Sequence, residues 1–254
     1  MNYQEKFEKM RVVGKLTAQC LKELQSVIKP GITTEDINQF VLRYQQNHNL
    51  TNAQYGYIVD NKKFPAYCCT SVNEVMCHGI PSLKTILKKG DIVKVDVTFV
   101  KDGYHGDSCY TFIVSSQVSA ETIKFVHTAN EALSKGIQAA QPFVRLSEIG
   151  KAIETYCKEK EVTISRDFVG HSIGLVFHDK PSIPHTSEML LEEEETILKP
   201  GMTFTIEPII CAGRAGYKTA KDGWTISTAD HKLSAQFEHT LGITETGNEV
   251  FTSW

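Results

Sequence analysis

The chain has 254 residues, a formal net charge of −3 and 41% hydrophobic residues, which is ordinary for a globular protein. This charge gives no global basic field for nucleic acid or an anionic membrane, and no run approaches the roughly 18 apolar residues of a membrane span. Seven cysteines without a CxxC pair, and a charged N-terminus without a signal core, predict reduced thiols in the cytoplasm.

The first half of the chain predicts two helices followed by a strand hairpin. Apolar residues at spacings of three and four predict a helix over 3–28, which Pro30-Gly31 ends. Thr33 with Asp36 resembles a capping box and opens a second helix. Residues 49–76 indicate loop and short strand. A strand over 91–100 then turns at Lys101-Asp102-Gly103 into a strand that includes 110–114.

One acid stands inside the apolar strand 91–100. Period-two alternation places Val93, Val95, Val97 and Phe99 on one face and Lys94, Asp96 and Thr98 on the other. A single aspartate in a strand is usually a solvated edge residue, so Asp96 alone indicates little.

The second half repeats this order. When Gly90 is aligned with Gly201, Asp96 falls on Glu207, and the helix 119–140 with the segment 141–156 matches the first two helices. His171 then takes the place of His78, and Glu238 that of Asp107. We therefore predict an internal duplication, with halves of about 1–115 and 116–254 in a single catalytic domain.

The repeat predicts where the acids point. In each half, helices should cover one face of the sheet: the face that carries Val93 in the first half and its counterpart Phe204 in the second. Asp96, Asp107, Glu207 and Glu238 would then converge on the inner face, flanked by His78 and His171.

Four converging carboxylates need compensation. Like charges 4 Å apart repel by about 4 kcal/mol per pair at an effective dielectric constant near 20, so protons or cations must be present. Carboxylates with a histidine suit two Mn, Fe, Co or Zn ions, and such a pair is typical of a hydrolytic site. This reasoning does not distinguish a peptide from a phosphoester substrate, and His171 and His178 could each be ordinary turn histidines.

Eight ordered segments carry a resemblance that covers nearly the whole chain: SVNEVMCHGIP, GDIVKVDVTF, GYHGDSCYTF, GHSIG, FHDKP, LKPGMTFTIEP, KDGWT and SAQFEHT. Together they resemble the type I methionine aminopeptidases of bacteria. The resemblance implies an α+β pita-bread fold, in which the helices of two pseudo-symmetric halves cover a curved antiparallel sheet around a dinuclear metal site.

The resemblance also implies roles for individual residues. Asp96 would bind the first metal, Asp107 and Glu238 would bridge both metals, and His171 and Glu207 would complete the second. His78 and His178 would contact the substrate, and Glu207 would also carry a proton. The implied methionine pocket is formed by Phe64, Cys69, Cys77, Phe177 and Trp224. A monovalent-cation site is implied at Asn73, Val75 and Ser234.

Three positions depart from the family pattern. Ser172 replaces a glycine in GHGIG, and Asp179 replaces the glutamate of FHE. A tyrosine expected three positions before Phe64-Pro65 is Asn61, if no gap intervenes. These departures concern the shape of the pocket and the preferred metal, because no metal ligand is lost.

The implied function is hydrolytic removal of the initiator methionine from peptides and nascent chains, with a small second residue preferred. The implied protein is a cytoplasmic monomer that works near the ribosome exit, without a membrane or nucleic-acid partner. Three alternatives remain: a proline-specific peptidase of the same fold, expected to carry an additional N-terminal domain; a metal-free binding protein; and a phosphoester hydrolase.

Overall fold

A computed structural model describes residues 3–187 and 196–253 of the chain. The described residues form four helices: Tyr3–Leu24 (α1), Thr34–Asn47 (α2), Ala120–Ala139 (α3) and Ser147–Glu159 (α4). The strands of the first half are Thr51–Asn52 (β1), Ile58–Val59 (β2), Lys62–Lys63 (β3), Cys69–Val72 (β4), Val75–Cys77 (β5), Ile92–Lys101 (β6) and Tyr104–Ile113 (β7).

The strands of the second half are shorter. They are Thr163–Ile164 (β8), Gly170–Ser172 (β9), Asp179–Ile183 (β10), Thr203–Ile206 (β11), Ile209–Cys211 (β12), Tyr217–Thr219 (β13), Ile226–Thr228 (β14), Ser234–Gln236 (β15), His239–Ile243 (β16) and Asn248–Val250 (β17). The pairings within both halves are antiparallel, as between β6 and β7 or between β11 and β16. No helix in these described ranges is long and apolar enough to cross a membrane.

The predicted helices are present with small differences at their ends. α1 ends at Leu24 rather than at residue 28, because residues 25–27 continue as turns with i→i−3 hydrogen bonds. The capping box of α2 is confirmed: the Asp36 amide donates to Thr33 Oγ1 at 3.1 Å, and the Thr33 amide donates to Asp36 Oδ2 at 2.7 Å.

The hairpin β6–β7 is the long element of the first half. It pairs without interruption from Ile92↔Ile113 to Lys101↔Tyr104, so β7 follows the turn directly and ends one residue before the predicted 114. Asp102 and Gly103 turn with positive φ, as the hairpin signal predicted. The face with Val93 and Phe99 packs into one hydrophobic core with α1 and α2, which confirms the predicted helix-covered face.

In the second half the equivalent strand pair is interrupted at its centre. β11 pairs with β16 up to Ile206↔His239, and β12 resumes pairing with β15 at Ile209↔Gln236. The register is the same on both sides of this gap, so Glu207 lies opposite Glu238 where the ladder opens. Phe204 and Ile206 pack into a second core beneath α3 and α4.

Backbone hydrogen bonds repeat between the two halves. The Asp91 amide donates to the Lys88 carbonyl, as the Met202 amide does to the Lys199 carbonyl. The glycines inside these turns, Gly90 and Gly201, both have positive φ, at 87° and 92°. The protein therefore has the α+β pita-bread fold with two pseudo-symmetric halves.

Side-chain hydroxyl groups join the halves along one seam. Thr240 Oγ1 donates to the Asp107 carbonyl at 2.8 Å, and Ser108 Oγ donates to the Glu238 carbonyl at 2.7 Å. The Glu238 amide donates in turn to the Cys109 carbonyl at 2.9 Å. Asp107 and Glu238 are thus fixed side by side through their own backbones, although they belong to different halves.

Candidate functional site

A cavity of about 350 Å³ lies on the inner face of the sheets. It is lined by Gln54, Tyr57, Val59, Phe64, Cys69, Cys77, His78, Asp96, Asp107, Asp167, Phe168, Val169, His171, Phe177, His178, Glu207, Ile209, Trp224, Gln236 and Glu238. The structure therefore brings together the residues singled out as catalytic, as divalent-metal ligands and as the substrate pocket. Asn73, Val75 and Ser234 lie outside this lining.

The acids of the first half come from the β6–β7 hairpin. Asp96 pairs with Cys109 and Asp107 pairs with Thr98, which makes the two acids diagonal neighbours on one face. Thr98 Oγ1 donates to Asp107 Oδ1 at 2.7 Å, and Gln54 Nε2 donates to Asp96 Oδ1 at 3.1 Å.

The acids of the second half lie in the gap between the strand pairs. Thr205 Oγ1 donates to Glu207 Oε1 at 2.8 Å, and Gln236 Nε2 lies 3.3 Å from Glu207 Oε2. The Glu207 amide donates to His185 Nε2 at 3.1 Å, and His185 is completely buried. The supporting roles of Gln236 and His185 were missed, because their distance from Glu207 along the chain gives no signal of contact.

His171 lies against the carboxylates. Its Nε2 is 3.6 Å from both Asp107 Oδ2 and Glu207 Oε1. One ligand atom each from Asp107, His171 and Glu238 lies within 4.8 Å of the others. Gly170 permits this position, since a Cβ there would meet the Thr205 carbonyl oxygen at 2.3 Å. Burial acts to lower the pKa of His171, but Asp107 and Glu207 outweigh it, and the pKa is raised.

The carboxylate cluster is electrostatically unbalanced by itself. Burial is the largest cause that raises the pKa values of Asp96 and Glu238 well above the ordinary range, and neighbouring carboxylates add to it. The pKa of Glu207 is raised to about 7, again mainly by burial. Divalent cations would relieve this repulsion, and a carboxylate-rich set with one imidazole suits Mn, Fe, Co or Zn. The residues present thus fit a metal centre.

Two histidines border the cluster. His78 follows β5 in a left-handed conformation with φ of 54°. The next residue, Gly79, lies close against the Thr70 carbonyl. His178 Nδ1 lies 2.7 Å from the Tyr57 hydroxyl. Burial lowers the pKa of His78, and burial followed by the charge of His171 lowers that of His178 to about 4.

Asn61 is not among the residues that line the cavity. A hairpin of β2 and β3 intervenes before Phe64, and Asp60 and Asn61 form its turn with φ of 48° and 63°. Tyr57 precedes this hairpin and lines the cavity instead, in edge contact with the Phe177 ring. The dipeptide Asp-Asn between short apolar and basic stretches was the available signal for the hairpin.

An apolar wall stands beside the carboxylates. Phe64 and Trp224 meet edge to face with ring centroids 5.2 Å apart, and Cys69 packs in the same cluster. Cys69 and Cys77 are 5% exposed, and burial raises the pKa of both thiols well above the ordinary value. The wall is therefore uncharged and rich in polarizable sulfur and aromatic rings.

The other two departures lie outside the cavity lining. Ser172 Oγ donates to the Pro181 carbonyl at 3.1 Å, which joins β9 to β10. Asp179 is exposed, and its Oδ1 accepts the Lys180 amide at 2.8 Å. Neither side chain is among the residues that surround the carboxylates.

The oxygens implied for a monovalent cation surround a lysine of the chain. Lys94 Nζ donates to the Asn73 carbonyl at 2.8 Å, to the Ser234 carbonyl at 2.7 Å and to Ser234 Oγ at 3.1 Å. Ser234 Oγ also lies 3.1 Å from the Val75 carbonyl. Burial lowers the pKa of Lys94 to about 7, whereas three acceptors favour the ammonium form, which alone has three N–H donors.

Comparisons with known proteins agree with this architecture. A model of metallopeptidase family M24 matches residues 8–245. Methionine aminopeptidase B of Synechocystis sp. is 43% identical over 246 residues, covering 96% of this chain and 88% of that protein. Methionine aminopeptidase of Escherichia coli K12 is 40% identical over 249 residues, covering 98% and 91% respectively.

Solved structures extend the comparison. The crystal structure of methionine aminopeptidase from Rickettsia prowazekii superposes with a TM-score of 0.92 at 41% identity, covering 98% of both chains. Prolidase from Pyrococcus furiosus has a TM-score of 0.73 at 19% identity, covering 98% of this chain and 64% of that one, and shares the fold alone.

Proposed function

The chain belongs to metallopeptidase family M24, and from this membership we propose that it removes the N-terminal methionine from peptides and nascent proteins. Relatives of that name are 40% and 43% identical over nearly the whole chain. The observation that carries the proposal is one cavity in which the five side chains proposed as metal ligands adjoin an apolar wall of thiols and aromatic rings.

Asp96, Asp107, His171, Glu207 and Glu238 would hold two divalent ions. When bound, such ions balance the carboxylate charge, lower the pKa of water and polarise the scissile carbonyl. Cobalt, manganese, iron and zinc all suit this donor set. The hydrogen bonds from Thr240 Oγ1 to the Asp107 carbonyl and from the Glu238 amide to the Cys109 carbonyl supply the rigidity that such a centre needs.

The remaining site residues orient the substrate and move a proton. His178 Nδ1 lies 2.7 Å from the Tyr57 hydroxyl. With the ring proton of His178 on Nε2, this hydroxyl would donate to Nδ1, and Nε2–H would donate to the substrate carbonyl oxygen. His78 contacts the scissile amide. Glu207 accepts a proton from the attacking water at Oε2 and passes it to the departing amine. The methionine thioether packs against Phe64, Cys69, Cys77, Phe177 and Trp224.

The proposed setting follows from the same features. All seven cysteines are buried free thiols, which supports a reducing compartment such as the cytoplasm. One catalytic domain made of the halves 1–115 and 116–254 is proposed, because the cavity takes ligands from both. Nascent chains as substrates would bring the enzyme to the ribosome exit, and we propose that it acts as a monomer.

Turnover of short peptides tests the function. Met-Ala-Ser should be cleaved with a higher kcat/KM than Met-Leu-Ser, and activity should depend on added Mn, Fe, Co or Zn after removal of metal with a chelator. Peptides of the form Xaa-Pro with residues other than methionine should be poor substrates. Cleavage only before proline would assign the chain to the proline-specific activity of its more distant structural neighbours.

A further inference from the structure

Lys94 is a buried cation to which the proposed chemistry gives no role. It is 1% exposed and lies on the inner face of β6, two residues before Asp96. Its hydrogen-bond partners within the described residues are two backbone carbonyls and a hydroxyl, without a carboxylate among them. A positive charge surrounded by neutral oxygens resembles a bound alkali cation more than an ion pair.

The hydrogen-bond partners of this lysine favour its charged form. The Val75 carbonyl at 3.1 Å and the Asn73 carbonyl at 3.3 Å are acceptors for the proton of Ser234 Oγ, so that this hydroxyl can accept from Lys94. Three oxygens then accept from Nζ, and an ammonium group has the three N–H donors required. The oxygens of Asn73, Val75 and Ser234 are thus already engaged, and a free monovalent cation does not fit among them.

We infer that Lys94 is a tethered substitute for a monovalent cation and acts as a positioning residue for the metal cavity. It joins three segments that carry site residues. Asn73 precedes β5, which ends at Cys77; Ser234 begins β15, which leads to Glu238; and Lys94 itself lies on the strand of Asp96. Asn73 Nδ2 also donates to Asp91 Oδ1 at 2.9 Å, which connects the junction to the residue just before β6.

The inference predicts that the wild-type protein does not require alkali cations. Its melting temperature and its kcat/KM should be equal in potassium, sodium and choline chloride of the same ionic strength. In the Lys94→Met variant the oxygens lose their cation, and the melting temperature in choline should fall by roughly 5–10 °C. Potassium or sodium should restore at least half of this loss, because either ion can occupy the emptied oxygen cage.

Activity should follow the same pattern. In choline, kcat/KM of Lys94→Met should fall about ten- to a hundredfold through displacement of the site segments, and potassium or sodium should recover most of it. Lys89→Met, at an exposed lysine ahead of the same strand, should respond alike to all three salts. The melting-temperature arm requires no substrate, so failure of the proposed activity would not be confused with failure of this inference.

Two results would overturn the role of Lys94. One is a wild-type protein that potassium or sodium stabilises specifically. The other is a folded Lys94→Met variant without any cation-specific gain. If the variant is unfolded in every salt, thallium(I) soaked into wild-type crystals still decides: an anomalous peak among the Asn73, Val75 and Ser234 oxygens refutes the substitution, and its absence there supports it.

Discussion

At the scale of single residues, Glu207 is the side chain on which the proposed chemistry depends most. It lies opposite Glu238 in the opened ladder, with Thr205 Oγ1 on one carboxylate oxygen and Gln236 on the other. These contacts fix the orientation of the Glu207 carboxylate without neutralising its charge. Its neighbours within the cavity, His171 and the acids, then determine whether it holds a metal, a proton or both in turn.

Glu207→Gln should lower kcat about 10²- to 10⁴-fold, because an amide neither carries the transferred proton nor ligates as a carboxylate does. Turnover of a methionyl tripeptide, with metal content measured on the same sample, tests this. Glu154→Gln removes a buried glutamate outside the cavity and should leave kcat unchanged. Full activity of Glu207→Gln with metal bound would refute the assigned role.

His178→Ala should lower kcat by about 10²-fold or more with little change in KM, because the ring acts on charge that develops in the reaction. Tyr57→Phe keeps the ring but removes its 2.7 Å hydrogen bond, so a two- to tenfold loss of kcat is expected, roughly the value of one hydrogen bond. His127→Ala, at an exposed helical position, serves as the control. A change confined to KM would contradict the assignment.

At the scale of elements, the strands that carry the acids differ between the halves although the repeat relates them. β6 and β7 are continuous, whereas the second pair opens at Glu207-Pro208. Alternation along 91–100 predicted both faces of β6. The interruption was not predictable in detail, because it depends on which residues of a distant strand pair. The local hairpin before Phe64 was missed because its two-residue strands are too short to show alternation.

Another element-scale feature is the attachment of α4 to the segment after β10. Glu154 Oε2 accepts the Ser187 amide at 3.0 Å, and Oε1 lies 2.8 Å from Lys158 Nζ. Burial acts to raise the pKa of Glu154, but the hydrogen bonds of Lys158 and Ser187 outweigh it and lower the pKa to about 2. The folded state therefore favours the carboxylate.

The stability from Glu154 should be fully present above its unfolded pKa of about 4.5 and should be lost as pH falls toward 2. Glu154→Gln should cost about 1–2 kcal/mol at pH 7, a value kept small because Lys158 is exposed. The difference from wild type in urea unfolding should shrink at about pH 3.5. Glu148→Gln on the same helix is the control, and a pH-independent difference would exclude this linkage.

At the scale of the whole molecule, the duplication is what makes four acids converge. The two halves are related as the sequence predicted. Their turns match at Gly90 and Gly201, and their hydrophobic cores include Val93 in one half and Phe204 in the other. Repeated spacing alone predicted the internal duplication and the inward direction of the acids, whereas the pita-bread fold was implied by the resemblance. The substrate class came from resemblance, and neither source predicted that Lys94 occupies the oxygens of Asn73 and Ser234.

The central claim is that both halves supply one dinuclear metal centre, and anomalous diffraction from crystals grown with Mn²⁺ tests it most directly. Two manganese peaks about 3.5–4 Å apart are expected among Asp96, Asp107, His171, Glu207 and Glu238, with both ions contacting Asp107 and Glu238. An enzyme that is active with manganese but shows no peak at these side chains, or binds it elsewhere, would contradict the claim.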